Sequence, residues 1–370
     1  MRKWIIGALI FALAVGLYLK FRVKDHAIGE AYVGENSATV WNTTAQVRQS
    51  IATLHWGERV EVLSHSGNQS KIRTASGAVG WADNHALLDA ALWQTEKNLQ
   101  TESRNMPSQA PGRTKVFTNL HSEPGRDAPR IYQLPGGTAV SVLKRAAADV
   151  PANAAPALSG ASSTEGDAES PKREDWLLVS VATARESSPA PAGEQSVEAN
   201  QAYLVTGNEQ TATPATGRAV PALAGWVIGR FIDIDLPQTL RDYATASGMR
   251  PVAWFVLNKL ATPSGDRPQY LVAGTHSAEG QPCDFTLLRV YTWGAARQMY
   301  ETSYVENDLC GSFPIVVGKQ SGTGNPEFQF KALSEKEPLE ERDYVMHQTV
   351  VRREREQGSP TKKNAASKRP

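Results

Sequence analysis

Cysteine is scarce in this chain of 370 residues: Cys283 and Cys310 are the whole supply. They form no CxxC pair, which excludes a dithiol redox motif and a thiolate zinc site. None of the seven histidines stands at HExxH spacing, and none pairs with a cysteine. The reading is therefore that no metal and no cofactor is bound. A GxSxG nucleophile elbow is missing, and Gly322-x-Gly324 lacks the third glycine and the following helix of a phosphate loop. Charge of one sign is missing too: 39 Lys and Arg against 38 Asp and Glu leave a net +1. That balance carries no electrostatic footprint for nucleic acid.

Long apolar runs are missing with one exception. Trp4 to Leu19 carries no charge and lies between Arg2-Lys3 and Lys20-x-Arg22-x-Lys24. As a helix the run spans about 24 Å, against a bilayer core of about 30 Å. Residues 1–24 are read as a transmembrane signal-anchor, with contact to the membrane through residues 4–19. Cleavage as a signal peptide, at Ala12-x-Ala14 or Ala27-x-Gly29, stays open. Either way the body is expected outside the cytosol, in the periplasm or at the cell surface. Such a compartment permits a Cys283–Cys310 disulfide. The alternative is a pair of free buried thiols.

Glycine and proline are plentiful, at 29 and 22 residues, and apolar runs are otherwise short. The expected fold is mainly β: an N-terminal transmembrane helix, two small barrels, and a C-terminal antiparallel β-sheet or sandwich. The first barrel covers 28–89. Arg59-Val60-Glu61-Val62-Leu63 alternates with period two, and Gly57-Glu58, Ser66-Gly67 and Ser76-Gly77 supply turns. A helical linker occupies 90–112, with apolar residues recurring at helical spacing from Leu87 and a Pro-Gly tether from Pro107.

The second barrel, 113–235, repeats the order. Ile131 to Leu134 stands for Ile51 to Leu54, and Pro135 to Leu143 stands for Gly57 to Leu63. Asp175 to Val181 supplies a Trp-x-x-Val strand, and Gly225-Trp226 closes the unit as Gly80-Trp81 closes the first. Stretches about 146–173 and 184–221, rich in Ala, Pro and Ser, read as disordered insertions. Tyr203-Leu204-Val205 reads as a short strand within the second.

This order of Gln46-Val47-Arg48, Gly57-x-x-Val60-x-Val62 and Gly80-Trp81 resembles the bacterial SH3 (SH3b) family over roughly half the chain. The fourth-strand tryptophan of that pattern is absent around Gln69 and Ser70 and present as Trp176. The resemblance implies SH3-like barrels and recognition of peptidoglycan or of a protein partner of the envelope.

Residues 238–353 form a third unit of seven strands after a short helix, and 354–370 a basic tail holding Lys362, Lys363, Lys368 and Arg369. Trp56, in a turn, and Tyr132, Trp176 and Trp226 of the second copy are the candidate ligand-binding aromatics. The alternative to a binding module is a C-terminal hydrolase or hydrolase inhibitor, with His276 and Asp284 as the positions to test.

Overall fold

The computed structural model describes residues 26–151, 172–181 and 223–354, apart from 247, 264 and 335–338. Residues 1–24, the two insertions beyond their strand ends, Tyr203–Val205, and the tail after Glu354 lie outside the described residues. Among the described residues no helix is long and apolar enough to cross a membrane. The two α-helices are α1 (Ala90–Arg104), of 15 residues and charged, and α2 (Gln238–Ala246), of 9 residues. The expected single-pass membrane placement is corrected on that finding. Two compact units are present: the chain to Lys97 with Ile131–Gln133, and the remainder.

The first unit contains β1 (Gly29–Val33), β2 (Ser37–Trp41), β3 (Ser50–His55), β4 (Arg59–Ser66), β5 (Gln69–Arg73), β6 (Val79–Asp83) and β7 (Leu87–Asp89). They form one antiparallel sheet in the order β3-β2-β6-β5-β4-β1-β7. Period-two alternation puts Val40, Val60, Val62, Ile72 and Ala82 on one buried face. Gly67 turns the β4–β5 hairpin at φ +57°, where a side chain is disfavoured. Gln46-Val47-Arg48 is not a strand, and Val47 is fully in solvent. β1 and β7 lie beyond β4 at the end of the sheet, and His85 sits in a 3₁₀ turn, Asn84–Ala86, ahead of β7.

The next seven strands are β8 (Ala110–Thr114), β9 (Thr118–His121), β10 (Arg130–Leu134), β11 (Ala139–Asp149), β12 (Arg173–Val181), β13 (Leu223–Ile228) and β14 (Ile232–Ile234). Their order is β10-β9-β13-β12-β11-β8-β14, the first order with seven added to every strand. The repeat extends to detail. Each copy has a register shift after the same valine, Val62 or Val142, and buries the leucine that follows. Each also places a 3₁₀ turn, Asn84–Ala86 or Gly229–Phe231, before its last strand.

Neither sheet is a closed barrel, because β3 and β7, or β10 and β14, end it without meeting. The expected barrels are corrected accordingly. The register shifts, where a strand bends and gains twist, let an open sheet wrap an apolar core without closure. β11 continues through Ala146–Asp149, paired with Arg173–Trp176, where an insertion is expected. The Pro-Gly stretch expected as a tether is β8, an inner strand of this sheet.

The C-terminal part is a sandwich of two meanders. One sheet is β15 (Arg250–Leu260), β16 (Arg267–Thr275), β17 (Leu287–Gly294) and β18 (Met299–Glu306). The other is β19 (Gly311–Lys319), β20 (Pro326–Ala332), β21 (Glu340–His347) and β22 (Val350–Glu354). Alternation on β15 and β16 sends Phe255, Leu257, Leu271 and Ala273 toward Phe328, Phe330 and Tyr344 of the second sheet. Trp254, Tyr270 and Val272 go to the opposite face, which Leu240 and Ala244 of α2 cover. The expected seventh strand splits in two at Gln348, which takes φ +56° in the two-residue turn.

Candidate functional site

The cleft of the second unit is assembled from residues far apart in sequence. Its volume is about 690 Å³, within the usual range for ligand pockets, about 300–1,000 Å³. One wall is the end of α1 and the turn after it, Gln100 to Gln109. A second is the β8 and β11 side of the repeated sheet, with Val140, Ser141 and Leu143, and the facing ends of β12 and β13. The third is two edge strands of the sandwich, β15 through Trp254–Val256 and β19 through Ile315–Val317. Leu143, Leu223, Ala224, Phe255 and Ile315 make the interior apolar.

Gln109 holds these walls together. It is fully buried. Its backbone N–H donates to Val142 O of β11 (2.7 Å), and its C=O accepts the Trp254 N–H of β15 (3.1 Å). Its side-chain Oε1 accepts the Ile315 N–H of β19 (2.8 Å), and Nε2 donates to Pro107 O (2.9 Å) and to Ile315 O (3.4 Å). A buried amide so fully paired is a rigid three-way joint.

Two other buried polar groups in the lining have no such partners. The Ser103 hydroxyl and the Trp254 indole N–H are shielded from water and bond to no described atom. Unsatisfied buried groups are rare in native structures, and each calls for a cause. At the rim, Arg113 pairs with Asp235 at 3.1 Å, while Arg104 is exposed and makes no ion pair among the described residues. Burial raises the Asp235 pKa above its ordinary value, with Arg113 pulling against it.

The sequence-derived aromatics lie elsewhere. Trp176 is fully buried and Trp226 nearly so, both in a cluster with Leu143 and Leu178. His121 packs edge-on to Trp176 at 5.2 Å. In the first unit, Trp56 meets Trp93 at 5.4 Å and Tyr132 edge-on at 5.2 Å, and Trp93 stacks on Tyr32. Trp56 and Tyr132 are thus brought together, and Trp176 with Trp226, but the four form no single site. Trp41 and Trp81, which alternate away from the Val40 and Ala82 core, stand in register on β2 and β6, both half-exposed, with Arg48 over Trp41 at 4.2 Å.

Polar clusters that resemble catalytic groups are engaged structurally. His65 Nδ1 lies 2.8 Å from Ser70 Oγ, but Ser70 is buried and donates its proton to Asn84 Oδ1 at 2.6 Å. Asp284 accepts from Arg145 (3.2 Å) and from the Phe313 N–H (2.7 Å). His276 Nδ1 lies 3.3 Å from Gly248 O, its one hydrogen-bond partner among the described residues. Cys283 and Cys310 are joined in a disulfide. Among the described residues no group of three His, Cys, Asp or Glu is placed to hold a metal ion.

Glu174 next to this cluster makes a pH prediction. It accepts two bonds from Arg126 (both 2.8 Å) and one from Arg230 (2.9 Å). Burial pushes its pKa up, but the two arginines outweigh burial and hold it below the ordinary 4.5. A lowered folded-state pKa stabilises the protein fully above the unfolded value and ceases to do so as pH falls through the folded one. Glu174→Gln should melt lower than wild type at pH 7, and the two melting curves should converge below about pH 4.5. Tm measured from pH 7 to pH 3 checks this; a gap that stays constant refutes it.

No protein-family model matches the chain, and no curated protein matches it. Among solved structures it is similar to NlpC2 from Trichomonas vaginalis at 9% identity, over 91% of this chain and 95% of that one, with a TM-score of 0.16. NlpC1 from the same organism matches at 10% identity, over 87% of each chain, with a TM-score of 0.15. Likenesses at these scores carry no argument about fold or activity.

Proposed function

We propose that this chain is a binding protein built on tandem bacterial-SH3-like modules, and that it holds a peptide, of the cell wall or of a partner protein, in the cleft of the second unit. The observation that carries the reading is the cleft itself, about 690 Å³, with an apolar interior of Leu143, Leu223, Phe255 and Ile315 and a few polar groups, Ser141 and Arg104 among them, in its lining. A peptide offers such a cleft apolar side chains for its walls and backbone groups for its polar positions. The shared strand order and matching register shifts of the two sheets support the duplicated-module part. The hydrolase alternative has no comparable support, since Asp284 is tied to Arg145 and His276 to a backbone carbonyl.

Filling the cleft is the test. Ser141 is half-buried and lines it between the core positions Val140 and Val142. Ser141→Trp should weaken binding of soluble wall muropeptides or of envelope-protein peptides at least tenfold, while Ser141→Ala leaves it near wild type. Calorimetric titration of the full chain measures both, with thermal melts confirming the fold. Failure of the wild-type chain to bind either class would remove the reading.

A further inference from the structure

The free edge of β19 says how a peptide would sit in this cleft. β19 is the outermost strand of its sheet; Gly311 at its start pairs with Phe285, and from Ile315 onward β20 is its one strand neighbour. Ile315 and Val317 turn their side chains to the sandwich core, and Val316 turns outward. Backbone groups alternate with the same period, so Ile315 and Val317 send their N–H and C=O the same way. For Ile315 that way is off the sheet, because both groups meet the Gln109 side chain. The register with β20 agrees: Lys319 stands opposite Pro326, which has no N–H to give. The ladder bonds therefore fall on Val316 and Gly318, and the Val317 groups face away from β20.

The Gln109 amide thus does at Ile315 what a residue of a neighbouring strand would do, accepting from the N–H and donating to the C=O. Val317, one pair further along, lines the cleft with its edge groups open. We propose that an extended peptide of L-residues enters the cleft as a fifth strand on β19, pairs its backbone with Val317, and has its register stopped at Gln109. This deepens the peptide-binding reading and rests on it. Main-chain pairing supplies affinity in strand addition, and pockets for alternate side chains supply selectivity. Here exposed Val316 and buried Phe255 and Leu143 offer the apolar contacts. Arg104, exposed at the rim without an ion pair, suits a carboxylate on the incoming chain.

The mode chooses between the two ligand classes. Wall stem peptides contain D-residues, whose side chains break the alternation that strand pairing requires. A segment of a partner protein is uniformly L.

The probe is a heptapeptide of alternating valine and threonine, fluorophore-labelled at its amino end and with a free carboxylate, titrated by anisotropy against the full chain. Two further probes carry N-methyl groups on alternate residues, in the two possible phases. The expected result is saturable binding that one N-methyl phase weakens at least tenfold and the other leaves within threefold. Val317→Pro should weaken binding at least tenfold, because it removes a donor that faces away from the ladder. If that variant misfolds, the N-methyl pair decides. Probe binding that Ser141→Trp abolishes but that both N-methyl phases and Val317→Pro leave intact would keep the cleft and overturn strand addition. Binding of wall stem peptides without binding of the heptapeptide would overturn it also, and so would equal loss in both phases.

Discussion

Asp175→Ala should lower the unfolding free energy by about 3–5 kcal/mol, the usual cost of stranding one member of a buried ion pair. Asp175 and Arg145 are both buried, and their side chains meet at 2.5 Å. The same carboxylate accepts the Gly280 N–H at 2.7 Å and lies 3.4 Å from Arg250. Arg145 also donates to Gln281 O (2.7 Å), Cys283 O (3.1 Å) and Asp284 (3.2 Å). Removing Asp175 therefore releases a segment of the sandwich as well as a charge.

Gly280 reinforces that segment's placement. It takes φ +81°, and a Cβ there would lie 2.4 Å from the Arg173 carbonyl oxygen. Burial is the main reason the Asp284 pKa is raised, and the Asp175 charge adds to it. With Asp175 gone, Asp284 remains as Arg145's one carboxylate, which favours the lower half of the range. Guanidinium unfolding at pH 7 measures the loss. The double replacement Arg145→Met with Asp175→Leu should recover most of it, because no charge is then left buried. A loss under about 1 kcal/mol for Asp175→Ala would show that the pair is dispensable.

The second large effect belongs to the disulfide. Cys283 and Cys310 are 27 positions apart, and closing a loop of that size in the unfolded chain is worth about 3–4 kcal/mol by chain entropy. The bridge lies beside a backbone pairing of Phe285 with Gly311, and the Cys310 carbonyl accepts the Leu333 N–H at 2.9 Å. It ties the segment before β17 to the segment before β19, so one covalent link spans both sheets of the sandwich. Replacing both cysteines with alanine should cost about 3–4 kcal/mol in the same assay, and adding reductant to wild type should reproduce the shift. A change within about 0.5 kcal/mol would refute this. Combined with Asp175→Ala the losses should not add, since Arg145 bonds the Cys283 carbonyl and the two sites share a segment.

The repeat is legible in the sequence because it lies in local signals. Val60-x-Val62 and Val140-x-Val142 alternate, glycines mark turns, and each unit closes on Gly-Trp. The third unit reads well for the same reason, apart from the turn at Gln348-Thr349, which carries no Asn-Gly or Asp-Gly cue. β1, β7, β9 and β14 are harder to read, being three to five residues long and stabilised by partners distant in the chain. The expected barrels fail on a question of geometry: alternation shows which face is buried, not whether the first and last strands meet.

The cleft is illegible for a different reason. Ser103, Gln109, Ser141 and Trp254 belong to no motif, and Gln109 reads as a polar residue in a Pro-Gly tether. Only its bonds to β11, β15 and β19 reveal its role. Trp176 and Trp226 attract notice as aromatics, yet strand alternation places both inside. Asp284 is acidic in a turn-rich stretch, and no sequence cue announces the buried arginine from position 145 that occupies it.

The long hairpins of the repeated sheet bear on how such a chain changes over time. Asp149 stands opposite Arg173, and Val181 opposite Leu223, as ladder partners. Each such pair is a doorway only about 5 Å wide, and the entropy of bridging it grows with the logarithm of the residues spliced in. At those two doorways the chain can gain or shed sequence with little consequence for the sheet. The joints at Gln109 and Asp175 have no such latitude, because each is gauged by partners arriving from three directions.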